Sequence, residues 1–193
     1  MNLLLLSLGP GAVPAFLKET APEHPRIGYL GAAGVGMPFA AEERARIEAL
    51  GHPVIDVGDQ LPEIDVLYVA GGNIFVLVDH LRRTGLDRVI TDRVRAGLPY
   101  IGLSAGSVVT GPSIEAISLM DDPSEAPELT DLTGLGLISD VVLPHADGQL
   151  PPYPPELIAR TVAQYGSAHR LLLLRDDQAL RVDDGGQRVI PSR

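Results

Sequence analysis

"YIGLSAGSVVTG", Tyr100 to Gly111, is apolar as far as Leu103, turns through Gly102-Leu103-Ser104-Ala105-Gly106, and continues in small residues that a helix accepts. A continuous rather than alternating apolar run fits a strand buried on both faces, as in a parallel sheet covered by helices. Small residues on both sides of the serine let the strand turn sharply into a helix. That corner lifts the serine oxygen to the carboxyl edge of the sheet, where the helix aims its amide hydrogens and positive dipole end. Gly-x-Ser-x-Gly in this context marks Ser104 as a candidate nucleophile.

The same kind of run recurs along the chain, in "NLLLLSL", "RIGYLGA", "PVIDV", "IDVLYVAGG", "ISDVVLPH" and "HRLLLLR". Between the runs lie patterned segments of helical length. "MPFAAEERARIEALG" spaces Phe39, Ala40, Ile47 and Leu50 among charges and closes on Gly51, read as its C-cap, and "IFVLVDHLRRTG" repeats the design before Gly85. Alternating strands and helices predict an α/β fold, a three-layer sandwich with a mostly parallel sheet covered by helices. Near the end, Asp183-Asp184-Gly185-Gly186 separates two short strand-like runs, which predicts a C-terminal β-hairpin at one edge. The acidic, turn-rich "DDPSEAPELTDLTG" reads as a surface loop rather than a linker, so residues 1–193 are expected to form a single domain.

Composition narrows the function classes. The 193 residues carry a formal net charge of −10 and no basic patch, so phosphate backbones and anionic membranes are unfavourable partners. There is no cysteine, which excludes disulfides, thiolate nucleophiles and zinc–sulfur sites together. "MNLLLLSLGPGA" lacks a basic leader and its apolar run stops at Gly9-Pro10, so it reads as a first buried strand and the chain as a cytoplasmic protein.

A serine nucleophile needs a base, and position sorts the five histidines. His24 and His52 each precede a proline in turn-like contexts, His80 sits among charges on a helix, and His169 enters "RLLLL" from its amino end. His145 instead closes "ISDVVLPH", at the carboxyl end of a buried strand, on the edge where Ser104 emerges. The pair Gly71-Gly72 in "YVAGGNIF" also follows a strand and opens a helix. Its uncovered amides could approach a developing oxyanion, or it is an ordinary turn with Asn73 as N-cap.

Together, "AGGNIFVLVDHLRRTGL", "YIGLSAGSVVTGPSIE" and "VVLPHAD" resemble the peptidase E (aspartyl dipeptidase) family of serine peptidases, to which cyanophycinases also belong. The resemblance implies a fold like that of class I glutamine amidotransferases, with serine where those enzymes carry cysteine. It implies Ser104 as nucleophile, His145 as general base, and the amides of Gly72 and Ala105 as the oxyanion hole. The implied substrate is a short peptide, with an amino-terminal acidic residue as one option; the implied assembly is a homodimer, and no metal or organic cofactor is implied. Two departures stand out. Where the family's dipeptidases have Asn-Asp-Met-Pro, this chain has Ser118-Leu119-Met120-Asp121, so the acid that orients the base is left among Asp121, Glu115 in "GPSIE", and Asp147 two residues past His145. Where those dipeptidases carry an arginine-containing segment, this chain has the proline-rich "GQLPPYPPELIAR".

Two other classes share parts of this pattern. An α/β-hydrolase esterase has the same corner but places its histidine later, after more strand–helix units than follow Ser104 here. A non-catalytic binding protein would keep the pocket without the chemistry.

Overall fold

A computed structural model describes residues 1–193. Every apolar run becomes a strand. The main sheet has seven strands in the order β3-β2-β4-β5-β1-β8-β9. β1 (Leu3–Leu6), β2 (Ile27–Leu30), β3 (Val54–Asp56), β4 (Val66–Val69) and β5 (Tyr100–Leu103) are all parallel. β8 (Gln178–Asp183) runs antiparallel to β1, and β9 (Gly186–Pro191) returns along it through the expected turn, with Asp183 opposite Gly186.

Burial on both faces follows from the period of two in a strand. Leu3 and Leu5 of β1 enter one apolar core and Leu4 and Leu6 the other, all fully buried. The first core is covered by α3 (Ile74–Thr84) and α4 (Leu86–Arg95), through Leu77, Leu81, Ile90 and Val94. The second is covered by α1 (Val13–Thr20), through Phe16 and Leu17, and by Ile47 of α2 (Ala40–Glu48). Those faces make the expected three layers. Asn73 caps α3, its side chain accepting from Phe75 N and Val76 N, and Gly85 ends the helix in the left-handed conformation. α2 stops earlier than its pattern suggests, with Ala49 as its cap. Gly51 lies two residues beyond at φ 79°, donating to Glu48 O.

One part of the architecture departs from the expectation. β6 (Val141–Leu143) and β7 (Leu171–Leu173) do not join the main sheet; they form a separate parallel pair. Their register is fixed at the amino end by an ion pair between Asp140 and Arg170, and past the strands by Leu174 N donating to Leu143 O. Val142, Leu143 and Ile158 of α6 (Pro155–Tyr165) pack into the first core, so the pair sits over that face. No helix is long and apolar enough to cross a membrane.

Candidate active site

β5 ends in the corner read from sequence. Ser104 leaves the strand at φ 48° and ψ −108°, a backbone conformation that costs a non-glycine residue about 1–3 kcal/mol, and α5 (Ala105–Val108) begins at the next residue. The glycines flanking it answer to space. A β-carbon on Gly102 would lie 2.2 Å from Gly106 O, and one on Gly106 would lie 2.1 Å from Val69 O. Ser104 N donates to Leu6 O, and Ser104 O accepts from Ser107 N and Val108 N, so the corner is tied to the neighbouring strand β1 and to its own helix.

His145 follows β6 and is 2% exposed. It too has a positive φ, 57°, and its backbone N–H donates to Ser7 Oγ at 2.8 Å. Its Nε2 lies 3.0 Å from Ser104 Oγ. On the other side of the ring, Nδ1 lies 2.6 Å from Oδ1 of Asp176, which follows β7. Ser7 Oγ is 3.2 Å from the same carboxylate oxygen, so one buried hydroxyl just past β1 touches both partners. Tyr153 stacks on the imidazole at 5.0 Å with 10° between the planes.

The three carboxylates singled out from sequence are placed elsewhere. Glu115 opens a 3₁₀ turn (Glu115–Leu119), and its Oε2 bonds Nε2 of His169 at 3.0 Å. Asp121 does line the pocket, but its oxygens accept from Ile74 N at 2.8 Å and Tyr153 OH at 3.2 Å. It makes no hydrogen bond to His145, its link to the ring by contact being the stacked tyrosine, and burial pushes its carboxyl up. Asp147 Oδ1 stands 3.4 Å from Asp176 N, behind the acid rather than against the ring. The carboxylate in contact with His145 is therefore Asp176, which the sequence reading did not name.

The Gly71-Gly72 turn lies beside Ser104. Gly72 has φ 140°, and a β-carbon there would lie 2.0 Å from Ala33 O, so only glycine fits. Gly71 N–H is taken by Glu43 Oε1 at 3.1 Å and Asn73 N–H by Ala33 O at 3.0 Å. Gly72 N–H between them has no acceptor in the chain. Ala105 N–H belongs to the first turn of α5, where amides have no intrahelical acceptor. Ser104, His145, Gly72, Asp121 and Tyr153 all line one cavity of about 480 Å³.

Known proteins resemble this chain in sequence and in fold. Residues 43–190 match the model of peptidase family S51. An uncharacterised peptidase of Listeria innocua is 35% identical over 150 residues, covering 74% of this chain and 68% of the relative. Peptidase E of Streptomyces coelicolor is 35% identical over 159 residues, covering 75% and 64% respectively. The crystal structure of a candidate peptidase E protein from Listeria monocytogenes superposes with a TM-score of 0.85 at 26% identity, covering 98% of both chains. The chain therefore belongs to peptidase family S51 and is a serine peptidase.

Proposed function

We propose that the chain hydrolyses short peptides through Ser104, His145 and Asp176. The observation that carries this reading is the pair of contacts on one imidazole, Ser104 Oγ on Nε2 and Asp176 Oδ1 on Nδ1. Asp176 accepts a hydrogen bond from Nδ1–H and so keeps the proton on that nitrogen, which leaves Nε2 unprotonated and able to take the proton of Ser104. As the Ser104 Oγ–carbon bond forms, that proton passes to His145, and the carbonyl oxygen becomes an oxyanion within reach of the Gly72 and Ala105 amides. Collapse of the tetrahedral species breaks the carbon–nitrogen bond, and the imidazolium returns its proton to the departing amine. Water, deprotonated by the same imidazole, then hydrolyses the ester and restores the serine.

Asp121 has a different part in this reading: through Tyr153 it fixes the plane stacked on His145. A cavity of about 480 Å³ suits a peptide of a few residues better than a folded protein. The test is labelling by a fluorophosphonate probe together with hydrolysis of a dipeptide panel. Both should be present in the wild type and absent in Ser104→Ala; cleavage that survives in Ser104→Ala would overturn the reading.

A further inference from the structure

The walls of this cavity are strongly acidic. Glu42, Glu43, Asp121, Asp122 and Glu125 line it against a single arginine, Arg46, which is already paired with Glu42 at 2.6 Å. The other four carboxylates make no ion pair with any residue of the chain.

Glu43 is the one set deepest, 7% exposed. Its Oε1 accepts from Tyr68 OH and Gly71 N, while its Oε2 has no hydrogen-bond partner. A β-carbon placed on Gly71 would lie 3.6 Å from this Oε2 and 3.6 Å from Ser104 Cβ, so the free oxygen and the candidate nucleophile flank the same glycine. Burial pushes the Glu43 carboxyl up against the pull of its two neutral donors and the more distant charge of Arg46, while its second oxygen is left open to the cavity. A cation in the cavity would supply what is missing. Met37, Phe39 and Ile47 line the same space and offer apolar contact for an aliphatic stem that ends in charge.

We propose that Glu43 is a specificity residue that receives a basic side chain, so that the site selects peptides presenting a lysine- or arginine-like residue and rejects acidic ones. This rests on the serine-peptidase reading of Ser104 given above. The acidic amino-terminal residue implied by the family resemblance would meet like charge on this lining.

The test measures the rate at which a fluorophosphonate labels Ser104 in the presence of arginine amide, citrulline amide, its neutral isostere, or aspartate amide. Arginine amide should protect at a concentration at least about tenfold lower than citrulline amide, and aspartate amide should protect least. In Glu43→Gln, which keeps an oxygen for Gly71 N–H, the first two should differ by less than about threefold, and Glu43→Asp should keep the wild-type order. Equal protection by arginine and citrulline amides in the wild type overturns the proposal, and so does a preference that survives unchanged in Glu43→Gln. Should Glu43→Gln fail to fold, the wild-type comparison and Glu43→Asp still decide. Absence of labelling in the wild type, by contrast, would overturn the serine-peptidase reading itself.

Discussion

Two regions meet at the site, and they are built differently. Ser104 and Gly72 stand on β5 and β4, neighbouring central strands of a seven-stranded sheet, at corners fixed within a few residues of chain. His145 and Asp176 stand past β6 and β7, a two-stranded pair outside that sheet, and the atoms that touch belong to residues 31 apart in sequence. The first region is written in short glycine motifs, whose β-carbons would strike backbone of the same corner at Gly102 and of the neighbouring segments Ala33 and Val69 at Gly72 and Gly106. In the second, geometry comes from parallel pairing and from the Ser7 hydroxyl, which reaches across from β1. A nucleophile corner can thus be specified by a motif, whereas a base and its acid have to be specified by a fold.

That contrast breaks most sharply at Ser104. Ser104→Ala should lower kcat on the order of 10⁶-fold while the far-ultraviolet spectrum and melting profile stay close to wild type, since the corner is held by backbone bonds. Next in size is the acid. Asp176→Asn should cost on the order of 10⁴-fold in kcat because the wrong imidazole tautomer then competes, whereas Glu115→Gln, which faces His169, should stay within about threefold. A large loss in Glu115→Gln with little in Asp176→Asn would reverse the assignment.

Ser7→Ala tests the link between the regions. It removes the buried acceptor of His145 N–H and a partly buried donor to Asp176, and should cost about 10- to 100-fold in kcat with KM little changed. A smaller effect, on stability instead of rate, belongs to the corner. Ser104→Gly relieves the positive φ and should leave the inactive protein up to about 1 kcal/mol more stable than Ser104→Ala in urea titration. The smallest lies far from both regions. Arg26 holds the Asp65 carboxyl down to about 2, so the stability it contributes is complete above the ordinary carboxylate range and is lost as pH falls through that value. Asp65→Asn should therefore unfold with a shallower acid slope between roughly pH 4 and 2.

How much of this could be read in the sequence follows the same division. The strands, the hairpin, the Asn73 cap and the Ser104 corner answer to local patterns, and all of them were legible. His145 was legible because it closes an apolar run. Asp176 follows another, "RLLLLR", and the same criterion applied to acids as well as histidines would have brought it, with Asp177, into view. Glu115, Asp121 and Asp147 lie much nearer to Ser104 or His145 along the chain. Pairing of β6 with β7 brings together what the chain separates, and no single-residue pattern announces it. Ser7 was hidden for the opposite reason: a lone serine in "NLLLLSL" looks like a gap in a buried strand, and its worth lies in contacts with residues far along the chain.

The separation of β6 and β7 from the main sheet also orders events during synthesis. Strands β1, β2, β4 and β5 all precede or adjoin Ser104 in the chain, so once that segment has cleared the ribosome the serine corner can take shape ahead of β6 and β7. It is silent at that stage. The base arrives with residue 145 and its carboxylate only with residue 176, so a nascent chain carries the serine for many residues of elongation before it is able to cut anything.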